Sequence, residues 1–373
     1  RCEVVGGQAR CAARDDLECS PGRTTCGGPG EIIECDAFGR RRPSACAGVC
    51  QPTVLGAICQ TREVELTDGF VRYQHRVPNF DLLNWDAGEP QVAPLRRALI
   101  RSLSWDEDAG SYTVLDVALT QEDGTFTVGL PVNPTPRDVV GVFLEGVDEQ
   151  GQHVIGVAKP GFPDDDRGQK ETRDPFPRPR FWWYSIPTVQ FLDVPPGSTP
   201  GVRINAGQEG ASGPARVYDY AGQVWDTTFG LTGGDGKSLV IWMQEGVTWG
   251  CGACFSSWGR AVSGHDFASQ IWIGWDGDQG FWSDAVTAHE IGHWSMSSFG
   301  RSPGEGGTHS SGRKNFPGLA WSEGYATWFS SMVRGDSRYY DKQGRFFWYD
   351  LQTRMSSDRR RRFLDADRDD DYG

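Results

Sequence analysis

Residues 289–293 read HEIGH, and this short pattern constrains the fold of the 373-residue chain more than any other. In an α-helix, residues i and i+4 lie on one face about a turn apart, so His289 and His293 can bind one metal ion if the segment is helical. Glu290 would then project beside the ion, where a carboxylate can accept a proton from metal-activated water. An ordinary amphipathic helix with two hydrogen-bonded histidines is the alternative.

The metal site needs a third protein ligand, because catalytic zinc sites use three and keep one position for water. The metzincin pattern requires glycine at 296 and histidine at 299, where this chain has Met296 and Phe299, so that subclass is excluded. His309 lies in a Gly/Ser-rich stretch and could reach the ion only through a loop excursion. The third ligand is therefore expected downstream of His293, on another helix or loop.

Residues 319–328 read LAWSEGYATW, and this string resembles the second helix of gluzincins, the thermolysin-like and aminopeptidase-like zinc peptidases. In that group, a Glu followed by small or aromatic residues is the third ligand. The resemblance implies a zinc ion bound by His289, His293 and Glu323, with Glu290 as the general base of peptide-bond hydrolysis. The alternative for Glu323 is a surface carboxylate on an amphipathic helix. The long segment between His293 and Glu323 is compatible with the resemblance, because loop closure becomes more costly only slowly with length.

Sites of this family often add a Tyr or His donor for the developing oxyanion, and backbone groups of an edge strand usually hold the peptide substrate extended. The residues leave the donor open among four tyrosines: Tyr325, Tyr339, Tyr340 and Tyr349. Two strand-like segments could provide the edge, SLVIWMQ at 238–244 and QIWIGW at 270–275.

Eight of the ten cysteines fall within the first 59 residues, with few large apolar residues between them. This density predicts a small disulfide module over residues 1–61. Zinc binding by these cysteines is the alternative, but the segment has no CxxC pair and no interleaved histidine. Cys251 and Cys254 do form a CxxC pair, for which a local disulfide is expected rather than a redox motif.

Disulfides form in oxidising compartments, so the protein is expected to be secreted, extracellular or at the cell surface. The start at Arg1 predicts a mature form from which a signal peptide has been removed. No run of 18 apolar residues occurs, so no transmembrane segment is expected. The net charge of −13 argues against nucleic acid as a partner.

Residues 63–160 alternate like strands and predict an antiparallel β-sandwich. Within them, the turn at 122–124 predicts a hairpin between strands at 111–120 and 125–131. The string LTQEDGTFTVGLP resembles carboxypeptidase regulatory-like, prealbumin-type sandwiches, which implies a non-catalytic accessory domain. The Pro-rich, charged segment 159–180 predicts a linker.

Residues 181–373 change character, with helical periodicity at 213–229, 281–299 and 319–333 and the two strand-like segments between. This order resembles a zincin-like α+β catalytic domain. The chain is thus predicted to be multidomain, with a disulfide-rich module, an antiparallel β-sandwich and this domain. Alternating Asp residues at 365–371 resemble the start of a calcium loop, so Ca²⁺ is a second candidate cofactor, and a disordered acidic tail is its alternative.

The sequence therefore predicts an exported zinc peptidase that acts on protein or peptide substrates. The main rival is a catalytically inactive or latent zincin scaffold that serves as a surface, adhesion or assembly component. A zinc hydrolase with a non-peptide substrate is a third possibility.

Overall fold

The computed structural model describes residues 2–5, 8–11, 18–108, 110–135, 137–147, 153–160, 171–172, 181–183, 185–190, 201–204, 212–234, 236–262, 265–275, 277, 279–304, 315–353 and 356–357. His309, the acidic segment 365–371 and most of the predicted linker 159–180 lie outside these ranges. The predictions made for them stay predictions.

The N-terminal region consists of short strands joined by disulfides. Its strands are β1 (Cys2–Val5), β2 (Gln8–Cys11), β3 (Thr24–Gly28), β4 (Glu31–Cys35), β5 (Arg41–Ala45), β6 (Val49–Thr53) and β7 (Gly56–Gln60). The order β3-β4-β5 makes one antiparallel sheet, and β1-β2 and β6-β7 make two-stranded sheets. Within residues 18–61, disulfides join Cys19 to Cys35, Cys26 to Cys50 and Cys46 to Cys59. The prediction of a disulfide-stapled segment is confirmed for this part of the chain.

The strands that follow are β8 (Val64–His75), β9 (Pro78–Asn79), β10 (Asn84–Trp85), β11 (Gln91–Pro94), β12 (Leu99–Asp106), β13 (Ser111–Leu119), β14 (Thr125–Pro131), β15 (Val139–Phe143), β16 (Glu145–Val147), β17 (His153–Pro160), β18 (Glu171–Thr172), β19 (Phe181–Trp183), β20 (Ser185–Gln190) and β21 (Gly201–Ile204). Eight of them form two facing sheets, β11-β8-β14 with β21 beside β8, and β13-β12-β15-β20. Val71 and Val128 from the first sheet and Ile100 and Val142 from the second belong to one buried core. A sandwich is present, with one parallel pair, β8–β21.

The predicted hairpin between β13 and β14 is wrong. β13 pairs with β12, and β14 pairs with β8, so the turn at 122–124 passes from one sheet to the other. Phe126 and Val128 on β14 belong to the core between the sheets, and Ala118 on β13 packs against that core. Alternation of apolar and polar residues requires only that each strand has one inward face. A hairpin within one sheet and a connection between two sheets therefore give the same pattern.

The remaining elements are β22 (Leu239–Trp242), β23 (Thr248–Trp249), β24 (Cys254–Ser256), β25 (Arg260–Val262), β26 (His265–Phe267), β27 (Ser269–Trp272), β28 (Arg338–Gln343) and β29 (Arg345–Asp350), with helices α1 (Ser212–Thr232), α2 (Asp284–Phe299) and α3 (Pro317–Arg334) and a 3₁₀-helix (Gly280–Trp282). The three helices occur where the periodicity predicts them. A six-stranded mixed sheet runs β16-β17-β22-β27-β24, with β19 also paired to β17. The described part of the chain is thus mostly β-sheet with few helices.

Strand β17 lies within the range 63–160 predicted for the sandwich, but it pairs in parallel with β22 and not with a strand of the sandwich. Conversely, β20 and β21 follow the predicted linker in sequence and pair with sandwich strands β15 and β8. The domain boundaries at 61, 160 and 181 stay predictions. Among the described residues, no helix is long and apolar enough to cross a membrane.

Candidate metal centre

Helix α2 begins at a fixed point beside β28. The Ser283 hydroxyl accepts a hydrogen bond from the backbone N–H of Val286 at 3.1 Å, which caps the helix, and donates one to the carbonyl oxygen of Tyr340 at 2.6 Å. Asp284, in the first turn, is paired with Arg216 of α1, whose Nε lies 3.0 Å from Oδ1. A capped, cross-linked N-terminus holds the HEIGH turn in one position relative to α1 and β28.

Helix α3 lies close against α2 at Gly292, the fourth residue of HEIGH. A Cβ atom at this position would lie 2.8 Å from the Cα and 3.1 Å from the carbonyl oxygen of Ala326. Both positions are buried where the backbones nearly touch. The small residue at 292 therefore allows α3 to bring its own side chains against the histidines of α2.

The side chains of His289, His293 and Glu323 converge between these helices. Nε2 of His289 lies 3.1 Å from Oε2 of Glu323, and Nε2 of His293 lies 3.5 Å from Oε1. One potential ligand atom from each residue lies within 4.8 Å of the other two. The structure thus brings together the three side chains that are predicted as ligands from the sequence.

Two hydroxyls of α3 contact the outer nitrogens of the histidines. Nδ1 of His289 lies 3.2 Å from Thr327 Oγ1, and Nδ1 of His293 lies 3.1 Å from Ser322 Oγ. With each Nδ1 facing a hydroxyl, each Nε2 is directed at the Glu323 carboxylate. Such outer contacts fix the tautomer and ring orientation of metal-binding histidines. Sequence reasoning missed both hydroxyls, although Thr327 is one helical turn after Glu323 and shares its face.

Glu290 and Tyr339 lie beside the cluster. Glu290 is buried, with 5% of its surface exposed. The ring of Tyr339, on β28, meets the ring of His289 edge-on at a centroid distance of 5.8 Å. Burial raises the pKa of Tyr339 well above its usual value, and the negative charges of Asp341, Glu290 and Glu323 raise this pKa further. Tyr339 therefore stays a protonated donor at any physiological pH.

The other three candidate tyrosines occupy different surroundings. Tyr349 stacks on Tyr339 at 5.1 Å and is hydrogen-bonded to Thr327. Tyr325 contacts the hydroxyl of Ser295 at 3.4 Å and packs against α3 aromatics. Tyr340 is buried in the core, where it stacks on Phe346. Tyr339 is thus in ring contact with a cluster histidine.

The edge strand beside the cluster is β24, and both segments predicted for this role are interior strands. β22 pairs with β17 and β27, and β27 pairs with β22 and β24. Among the described residues, β24 pairs along one side only, and its Phe255 stacks on His293 at 6.2 Å with an interplanar angle of 18°. The Cys251–Cys254 disulfide, which the CxxC pattern predicts, closes the turn before β24.

Comparison with known proteins adds one finding to this geometry. Residues 242–366 match the family model of the Mycolysin C-terminal domain. The match covers about one third of the chain and includes α2, α3 and the hairpin β28–β29. A search of curated proteins finds no match. The matched family indicates a metallopeptidase, for which proteins or peptides are the expected substrates, and the disulfides fit an extracellular protein.

Proposed function

We propose that this protein is an exported zinc peptidase whose metal is held by His289, His293 and Glu323. The observation that carries the proposal is the convergence of these three side chains from α2 and α3 within 4.8 Å. The Mycolysin C-terminal match over the same helices supports it. Export is supported by the disulfides of the N-terminal region and by Cys251–Cys254.

The donor set fits zinc by its chemistry. Two imidazoles and one carboxylate are the ligand set of a His₂Glu catalytic site, and hard cations such as calcium prefer oxygen ligands alone. With Nε2 as the ligand atom of each histidine, Nδ1–H would donate to Thr327 or Ser322, which raises the basicity of the ring. A bound zinc supplies Lewis acidity, which acidifies a water molecule and polarises the scissile carbonyl.

Glu290 is the proposed general base. It follows His289 on the buried side of α2, and its carboxylate would take the proton of the attacking water and deliver it to the leaving amine. Its burial excludes bulk water, which strengthens electrostatic interactions inside the site. Both transfers require one carboxyl group, so a neutral amide at this position should greatly reduce turnover.

Tyr339 is the proposed donor to the developing oxyanion. Its phenol remains protonated because burial and nearby carboxylates raise its pKa. Its ring contact with His289 holds it near the cluster. A donor aimed at charge that develops only in the transition state lowers the barrier selectively.

The substrate backbone is proposed to extend along β24. Its unpaired side among the described residues offers backbone donors and acceptors to an extended peptide, as in β-strand addition. Phe255 against His293 places this edge next to the cluster.

The test combines metal analysis with digestion of a denatured protein. Wild type should bind one equivalent of zinc and cleave the substrate. Glu290→Gln should keep the zinc but lose about 10²- to 10⁴-fold in kcat/KM. Glu323→Gln should lose zinc and activity together. Glu245→Gln, at an exposed position, is the matched control and should behave as wild type.

Two outcomes would contradict the proposal. Wild-type protein that binds zinc but cleaves nothing would favour the inactive scaffold. Full activity in Glu290→Gln would remove the general base from the mechanism, because no proton could be exchanged at that position.

A further inference from the structure

A cavity of about 310 Å³ opens next to α2 at its N-terminal end. It is lined by the start of α2, residues before and within the Cys251–Cys254 loop, the residues that follow β27, the 3₁₀-helix and the hairpin β28–β29. An engineered cavity of about 150 Å³ is enough to hold benzene. This cavity therefore has room for a long or large side chain.

The cavity adjoins the metal centre through three shared elements. Val286 lines it and precedes Glu290 by four residues, so both lie on one face of α2. Ala253 lines it two residues before Phe255, which stacks on His293. Asp341 lines it two residues after Tyr339, which contacts His289. A peptide lying along β24 at the cluster would have a side chain within reach of this cavity.

The polar lining of the cavity includes Thr248, Lys342, Gln343 and Asp341, and two hydrogen-bond acceptors lie beside Gly280. Oδ1 of Asp341 lies 3.4 Å from the position that a Cβ at Gly280 would take, and the carbonyl oxygen of Lys342 lies 3.6 Å from it. Side chains alternate along a strand, so the Lys342 side chain points away from the face that carries Asp341. The Asp341 carboxylate is 4% exposed and accepts hydrogen bonds from Lys342 N at 2.6 Å and Gln343 Nε2 at 2.7 Å.

Another part of the lining is apolar. Trp249 and Ile273 line it, and Trp249 Nε1 donates to the Ile273 carbonyl oxygen at 3.0 Å, which fixes the indole in place. Both side chains are about 1% exposed. Apolar sides with an acidic end match a side chain that has an aliphatic stem and a cationic head.

We propose that this cavity binds an arginine or lysine side chain of the substrate adjacent to the scissile bond, with Asp341 as the residue that determines this specificity. The inference rests on the proposed peptidase function. The net charge of −13 also favours substrates with arginine or lysine, because it attracts cationic peptides at long range.

The first experiment compares cleavage of two peptides that differ only by arginine or norleucine at the position next to the scissile bond. Wild type should prefer arginine. Asp341→Asn should reduce the ratio of kcat/KM values by about 10- to 100-fold, the usual worth of a hydrogen bond to a charged group. Asp350→Asn changes the same charge on the same hairpin outside the cavity lining and should leave the ratio unchanged.

The second experiment needs no catalysis. Binding of N-acetyl-arginine amide and N-acetyl-norleucine amide to Glu290→Gln protein is measured by NMR titration. The arginine amide should bind more tightly, and the added Asp341→Asn change should remove that difference. Gly280→Ala narrows the cavity beside the carboxylate without altering its charge. It should also weaken binding of the arginine amide. This variant provides the test if Asp341→Asn does not fold.

The outcomes separate the two proposals. Arginine binding that depends on Asp341, together with no cleavage by wild type, would overturn the peptidase function and keep the cavity assignment. Cleavage with a preference for norleucine, or an arginine preference unchanged in both Asp341→Asn and Gly280→Ala, would overturn the cavity assignment and keep the peptidase function.

Discussion

The disulfide-bonded region and the helix pair α2–α3 are held together in opposite ways. Over residues 18–61, three disulfides surround a small cluster of buried residues, Cys46, Cys50 and Ala57, and every residue of β5 is exposed. In α2, by contrast, eleven of sixteen residues are buried. The first region is organised by covalent bonds, and the second by packing.

This difference determines where the chemistry can be disturbed. A disulfide acts mainly on the unfolded chain and does not set distances elsewhere. The proposed metal centre depends on the separation of two helices, which close interior packing fixes. We therefore expect the first region to tolerate surface changes without consequence for the site, and the helix pair to transmit small volume changes directly to the ligands.

The largest effect on stability is expected from removing a disulfide. The double variant Cys26→Ser/Cys50→Ser opens a loop with a sequence separation of 24 and should destabilise the N-terminal region by about 3 to 4 kcal/mol. Limited proteolysis should then cut within residues 18–61, while zinc stoichiometry and kcat/KM stay at wild-type values. Loss of zinc in this variant would show that the two regions are coupled, and it would contradict the claim that the disulfide-bonded region does not affect the helix pair.

The second largest effect is expected from overpacking the helix pair α2–α3. Gly292→Val places side-chain atoms against the Ala326 backbone and should lower the free energy of unfolding by about 1 to 3 kcal/mol. It should also weaken zinc binding, because α3 must shift and carry Glu323 with it. Gly324→Ala is the control on α3, since a Cβ there meets nothing within 4 Å, and it should be neutral or stabilising. Equal zinc affinity in Gly292→Val and wild type would contradict this reading.

A smaller effect is expected from the outer contacts of the histidines. Thr327→Val keeps the shape of the side chain and removes the hydroxyl at Nδ1 of His289, so zinc affinity should fall about 10- to 100-fold. Competition with a chromogenic chelator measures this affinity. Thr228→Val removes a buried helical hydroxyl that bonds only along α1, to the Val224 carbonyl oxygen, and serves as the matched control. A similar loss in both variants would indicate a general stability effect.

The smallest expected effect is the dependence of stability on pH through His75. His75 on β8 is buried, and burial lowers its pKa to about 4, with the positive charge of Arg216 acting in the same direction and Asp219 opposing it. The unfolded chain then binds more protons below the ordinary histidine pKa of about 6.5, so stability falls as pH decreases from there toward 4. Between pH 6.5 and 5.5 this loss should be about 1 kcal/mol.

His75→Gln should remove that part of the pH dependence. Urea unfolding at pH 6.5 and 5.5 should show a smaller difference for the variant than for wild type, with the region 18–61 unaffected in both. An identical pH dependence in the two proteins would mean that His75 is not neutral in the folded state.

Local patterns account for the parts of the fold that the sequence predicts. HEIGH predicts a helix because its two histidines can bind one metal ion only at helical spacing. The periodicity of 319–333 predicts a second helix that carries Glu323. The structure brings these side chains together as the resemblance implies. The metal ligation itself stays a prediction.

Nonlocal pairing accounts for what the sequence does not predict. Alternation in β13 and β14 shows which side chains face inward but not which strand lies beside which. The edge strand β24 has only three residues, too few for a periodic signal. A signal against an edge role for β22 was present, since the continuous apolar run LVIW is typical of a strand covered on both faces.

The exchange of strands between the sandwich and the mixed sheet has a practical consequence for anyone who expresses the protein in pieces. A fragment starting at residue 181 would lack β16 and β17, so it would expose the side of β22 that β17 normally covers. The complementary fragment ending at 160 would lose β20 and β21 and leave β15 and β8 unpaired along those sides. Bare edges of this kind promote aggregation, so we expect the two halves to be soluble only when they are produced together.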